Sequence, residues 1–184
     1  MKSHETTRKL AVMGILAAMS IVFVYLIRFP LLPAAPFLEY EPGDIPILIC
    51  TFLYGPASGF ILTVIVSILQ GTTVSAGSGI IGIIMHIFAT GTFALLSGSL
   101  YWRNKSKKSA IIGLIIGTIA MILIMCIFNI ALTPIFMGTP RSAVIQMILP
   151  IIVPFNLLKA GINSILTFFI YKKVSQVVFK MKYE

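Results

Sequence analysis

Long apolar runs separated by short clusters of proline, glycine and charge set the pattern of this chain. The first run extends from Leu10 to Ile27 and stops at Arg28; at ~20 apolar residues per crossing it predicts a membrane-spanning helix. The next segment holds Pro30, Pro33, Pro36, Pro42 and Pro46, five of the ten prolines, which excludes a continuous helix there. Apolar character returns at Ile45 and lasts to Gln70, interrupted by Tyr54-Gly55-Pro56. Two short helices are therefore expected, over about 45–54 and 57–70, each too short for an easy upright crossing. Gly71, Gly77 and Gly79 mark a flexible connection over 71–79, and a fourth span follows from about Ile80 to Tyr101. Beyond the loop at 103–108 a fifth span runs from about Ala110 to Leu132. Pro134 to Arg141 begins a second irregular connection, and Pro150 and Pro154 introduce a last span ending near Tyr171.

Composition removes the soluble alternative. Of 184 residues 58% are hydrophobic and 10% charged, with a mean hydropathy of +1.04, values foreign to a water-soluble domain. The expected fold is an all-α integral membrane protein, a single domain over 1–184 with six transmembrane helices, two of them short, surrounded by membrane lipid. Lys2, Arg8 and Lys9 ahead of the first apolar run resemble a signal peptide. The run is longer than the ~7–15 residues of a signal core and more spans follow, so it reads as a retained first helix.

Charge then orients the layout. The net charge of +9 would suggest nucleic acid in a soluble protein, but here the basic residues sit at the ends of apolar runs. With six crossings, Lys2, Arg8, Lys9, Arg103, Lys105, Lys107, Lys108, Lys172, Lys173, Lys180 and Lys182, 11 of the 14 basic residues, share one face. The positive-inside rule makes that face cytoplasmic, giving a multi-pass cell-membrane protein with both termini cytoplasmic. Glu39, Glu41 and Asp44 gather on the outer side with Arg28 and Arg141. The 54–56 turn, expected inside, carries no basic residue of its own.

Polar groups within spans mark function by default. Asn156, Lys159 and Asn163 stand at i, i+3 and i+7 on one helical face. Lys159 is too deep for a plain terminal anchor, and reads either as a ligand contact or as a snorkelling or interhelical group. The amides serve ligand binding or helix packing alike. Asn129 lies at a depth similar to that of Asn156, so two amides and an ammonium can line an outward pocket. Above it, Glu39 and Tyr40 can close over a ligand or simply be solvated, and Asp44 reads either as a further substrate-binding group or, in its ordinary role, as the cap of the second helix. Gln70, Thr72, Thr73 and Ser75 offer further polar contacts or satisfy their own loop. His86 has no Cys, Asp or Glu at metal-ligand spacing and reads as a helix-packing histidine; no metal site is expected.

Gly14 and Ala18 form a small-xxx-small pair that lets another helix approach closely, within the protein or from a partner. Cys50 and Cys126 lie inside apolar runs and read as packing residues. No Gly is followed by Lys, so no P-loop is present, and no paired carboxylates lie within the spans to relay protons. These features fit a binding subunit without its own energy source better than an enzyme, a channel or an autonomous carrier.

Three segments carry a resemblance: Leu38-Glu39-Tyr40-Glu41-Pro42-Gly43-Asp44-Ile45-Pro46, Thr51-Phe52-Leu53-Tyr54-Gly55-Pro56-Ala57-Ser58-Gly59, and Pro154-Phe155-Asn156-Leu157-Leu158-Lys159. Together they resemble the riboflavin-specific substrate-binding subunit of energy-coupling factor (ECF) vitamin transporters, over about residues 8–173. The resemblance implies a six-helix subunit that binds riboflavin from outside, as transported ligand rather than cofactor, and joins a coupling membrane subunit and two ATPases. It places flavin contacts at Asn129, Asn156 and Lys159, and a face for the coupling subunit at Gly14 and Ala18, where Gly replaces the first Ala of the family's Ala-x-x-x-Ala. Glu41-Pro42-Gly43 departs from the family pattern. Another vitamin, such as thiamine or a folate, is the alternative ligand.

Overall fold

The structure, a computed structural model, describes residues 2–180; Lys182, counted above with the basic residues, lies outside the described residues. The chain forms α1 (Lys2–Leu26), a two-residue strand pair β1 (Phe29–Pro30) and β2 (Glu39–Tyr40), α2 (Asp44–Tyr54), α3 (Pro56–Thr72), a 3-10 turn at Ala76–Ser78, α4 (Gly79–Asn104), α5 (Lys107–Met137), α6 (Arg141–Met147), a π turn at Ile148–Ile152 and α7 (Val153–Lys180). The helical segment from α6 through the π turn to α7 is long and apolar enough to cross a membrane, as are α1, α4 and α5, while α2 and α3 are shorter apolar helices. Six rods result, as the apolar pattern predicts.

Burial sorts the rods by environment. Ile15, Ile115 and Ile165 are 60%, 55% and 59% exposed, on apolar outer faces suited to a bilayer rather than to water. By contrast α2 is buried at every residue from Asp44 to Leu53. A helix apolar all round belongs in a core, and α2 fills it, packed by α1, α3, α4 and α7. Its 11 residues span only about 16 Å. The chain reverses into α3 at Gly55, whose φ of 96° an L side chain rarely adopts. On the far side α4 and α5 approach closely because Gly113 faces the Ser97 backbone and Gly117 faces Phe93, while Phe88 and Phe128 stack at 4.6 Å.

Three sequence expectations change. The predicted irregular connection after Pro134 is helical to Met137, with Pro134 inside α5, and the turn comes at Gly138 with φ 64°. The last rod begins at Arg141 rather than at the prolines. Pro150 is absorbed in a π turn, whose wider ladder accommodates a residue lacking an N–H, and Pro154 sits in the first turn of α7. Asp44 does not cap α2: the N-cap is Gly43 without a side-chain bond, and the Asp44 carboxylate is spent on α4 and α7.

The corner at 54–56 lies with the basic residues. Lys9 Nζ stands 5.8 Å from the Tyr54 ring centre, and Lys105 Nζ 3.8 Å from that of Trp102. Trp102 Nε1 donates to the Thr51 carbonyl at 3.1 Å, so a turn without its own basic residue borrows them from α1 and the 103–108 loop.

Candidate functional site

At the opposite end of α2 the Pro-rich segment folds over the bundle. The strands pair antiparallel, Phe29 with Tyr40 and Pro30 with Glu39, and the Phe29 and Tyr40 rings lie 5.4 Å apart. Arg28, just past α1, fastens the segment: its Nε donates to the Glu39 carboxylate, and its guanidinium also reaches the Val74 carbonyl at 2.8 Å and Ser75 Oγ at 3.4 Å. One guanidinium thus joins the loop to the connection between α3 and α4.

Beneath lie two carboxylates, Asp44 fully buried and Glu41 mostly so, each of which needs donors to leave water. Asp44 Oδ1 accepts from His86 Nε2 at 3.1 Å and Thr90 Oγ1 at 2.9 Å, and Oδ2 from Asn163 Nδ2 at 3.2 Å. The oxygen of Asn163 accepts in turn from the Tyr40 hydroxyl at 3.0 Å, and His86 Nδ1 meets Ser67 Oγ at 2.7 Å. Glu41 Oε1 accepts from Lys159 Nζ at 3.2 Å and Gln70 Nε2 at 2.7 Å. Burial alone would raise the Glu41 carboxyl, but the Lys159 ammonium, with His86 and the Gln70 amide, holds it below its ordinary value. Burial and then the Asp44 charge push the Tyr40 hydroxyl up, against the pull of Lys159.

A cavity of about 190 Å3 opens among these groups. Glu39, Glu41, Gln70, His86, Asn156 and Lys159 supply polar lining. Met85, Met121, Met125 and Phe155 supply an apolar wall of the kind that fits an aromatic ring. The arrangement offers an ammonium and amides to acceptors, carboxylates to donors, and a thioether-rich wall to a flat apolar body, so it suits a neutral amphipathic molecule.

The sequence-derived residues divide accordingly. Glu39, Asn156 and Lys159 line the cavity, and Asn156 donates to the Ile152 carbonyl at 2.8 Å. Tyr40 and Asp44 lie outside its lining, joined through Asn163. Asn129 bonds within α5, donating to Met125 O at 2.8 Å and accepting from Thr133 at 2.8 Å, and is not among the lining residues. Thr73 is exposed and donates to the Leu69 carbonyl. Gly14 and Ala18 lie on the exposed side of α1, and a Cβ on Gly14 would meet nothing within 4 Å. His86, read as a satisfied helix-packing residue, does bond across to Asp44 on α2 and Ser67 on α3, and it also lines the cavity; with Thr90 it makes an i, i+4 polar pair on α4.

Comparison with known proteins bears on family and fold. The family described as ECF transporter, substrate-specific component, matches residues 8–171. The chain is 31% identical over 183 residues to the riboflavin transporter RibU of Streptococcus thermophilus, covering 95% of this chain and 86% of the relative. It is 28% identical to the RibU of Staphylococcus aureus, covering 93% and 92% of the two chains, and 27% identical to the riboflavin transporter FmnP of Bacillus subtilis, covering 91% and 92%. A solved structure of the S component of a bacterial ECF transporter superposes with a TM-score of 0.79 at 28% identity, over 94% of this chain and 98% of that one.

Proposed function

This chain belongs to the substrate-specific components of ECF transporters, and we propose that it is the riboflavin-binding subunit of such an importer. The observation that carries the reading is the polar cavity at the acidic end of the bundle, where Lys159, Asn156 and Glu41 face a methionine-rich wall. Riboflavin has the matching halves: a tricyclic ring for the wall, and a polyhydroxylated chain and imide for the polar groups. The cavity of about 190 Å3 is below the ~300 Å3 of usual ligand sites, so a flavin fills it when the segment above it shifts outward.

The acidic end faces outside and the end bearing Lys9 and Lys105 faces the cytoplasm, with both termini there; the gathering of basic residues around the 54–56 corner supports this orientation. The subunit captures the vitamin, and a coupling membrane protein with two ATPases supplies the energy for its release inward. Gly14 and Ala18, exposed on α1 and free of side-chain bulk, are the face on which the coupling protein docks.

Riboflavin copurifying with the detergent-solubilised subunit, and quenching of flavin fluorescence on titration into ligand-free protein, are the expected results. Saturable binding of thiamine or a folate, with none of riboflavin, would overturn the assignment.

A further inference from the structure

Among the described residues lining the cavity, one buried side-chain polar atom is without a hydrogen-bond partner. Gln70, in the last turn of α3, is 6% exposed and lines the cavity. Its Nε2 donates to Glu41 Oε1 at 2.7 Å and to Ser75 Oγ at 3.3 Å, while its Oε1 is buried without a partner among the described residues. Turning the amide over does not relieve this. The flip would set the amide oxygen against the Glu41 carboxylate, two acceptors at bonding distance, so Glu41 dictates which end of the amide is which. Lys159 keeps Glu41 an acceptor by standing 3.2 Å from the same oxygen. A buried carbonyl oxygen without a donor costs stability, and such atoms call for a function.

We propose that Gln70 is a specificity-determining ligand contact, its Oε1 accepting a hydrogen bond from an O–H or N–H of the bound flavin. The proposal rests on the riboflavin reading above. It adds an acceptor from α3 to the donors that Asn156 and Lys159 bring from α7, so that the site reads both hydrogen-bonding senses of the molecule. A flavin carries two kinds of donor, the ribityl hydroxyls and the imide N3–H. Lumiflavin lacks the first, and N3-methylriboflavin lacks the second.

The test uses the full-length subunit in detergent and the Kd of riboflavin, lumiflavin and N3-methylriboflavin, each read by flavin fluorescence. Gln70→Met keeps the length of the side chain and removes both polar ends. The expected result is a riboflavin Kd raised about 5- to 10-fold. For one analogue the loss shrinks to about twofold or less, lumiflavin if the partner is a hydroxyl and N3-methylriboflavin if it is the imide. Loss of the Gln70 bond to Glu41 acts on all three ligands alike, so an equal or complete loss for all three would overturn the contact and leave Gln70 as a support for Glu41. An unchanged riboflavin Kd would overturn it too. Should Gln70→Met not fold, Gln70→Asn withdraws the oxygen by one methylene and is read in the same way. Wild-type protein that binds no riboflavin refutes the parent reading and this contact together, whereas tight wild-type binding with a flat ligand ratio in the variant refutes Gln70 alone.

Discussion

Lys159 and Glu41, 118 residues apart in sequence, meet at 3.2 Å with side chains 11% and 12% exposed. The pair joins α7 to the segment preceding α2 in the lining of the cavity. Removing one member strands the other charge in a poorly hydrated place, while removing both does not. Lys159→Met and Glu41→Gln should each lower stability by about 3 kcal/mol, and the double variant by clearly less than their sum, in thermal unfolding of the detergent-solubilised protein. If the two losses simply add, the pair is not an energetic unit. Riboflavin affinity should fall by ~1–3 kcal/mol in Lys159→Ala, since the ammonium also faces the ligand.

The same pair fixes a pH dependence. The folded-state value of Glu41 lies below its ordinary 4.5, so the unfolded chain takes up this proton first as pH falls. The contribution of Glu41 to stability is complete above about 4.5 and is lost as pH drops toward the folded value. Melting temperatures followed from pH 7 downward should therefore decline more steeply in the wild type than in Glu41→Gln over that acidic window. Parallel curves would show that other carboxylates govern the acid limb.

Phosphorylated flavins should bind less well than riboflavin. A phosphate adds about −1.5 to −2 charges, and its burial requires cations or several free donors. Both cations at the cavity are committed, Arg28 to Glu39 and the Val74 carbonyl, and Lys159 to Glu41. Competition titration at fixed ionic strength should rank riboflavin above flavin mononucleotide, by about tenfold or more. Equal affinities would mean that Arg28 or Lys159 exchanges its carboxylate for the phosphate.

The α1 face separates binding from assembly. A Cβ on Gly14 meets nothing within 4 Å, so Gly14→Leu should leave folding and riboflavin affinity unchanged within about 0.5 kcal/mol. Copurification with the coupling subunit should drop, because a larger side chain holds a partner helix away. Intact copurification, or lost vitamin binding, would each contradict this division.

What the chain disclosed before its structure follows the range of the interaction involved. Six rods were readable because lipid selects uninterrupted apolar runs, and Tyr54-Gly55-Pro56 interrupts one where the bundle turns. The α7 stripe was readable because Asn156, Lys159 and Asn163 repeat at helical spacing. Helix limits near Pro134 and Pro150 were not, since a long helix can carry an internal proline or widen into a π turn when its neighbours hold it. Nor was the His86 partnership, because its carboxylate lies 42 residues away on another helix, a distance over which no spacing rule operates. Gln70 was visible only as one polar residue among several until Glu41 fixed the sense of its amide.

The enclosed, 11-residue α2 bears on how the molecule is made. Eleven helical residues reach about 16 Å, half of a hydrocarbon layer ~30 Å thick, so α2 cannot hold a transmembrane position by itself as it leaves the ribosome. Its first residue, Asp44, acquires donors only when His86, Thr90 and finally Asn163, 119 residues downstream, have been synthesised. The order of insertion and the order of folding are therefore expected to differ: the full set of Asp44 donors, and with it the buried position of the central helix, is complete only once the last helix is in place.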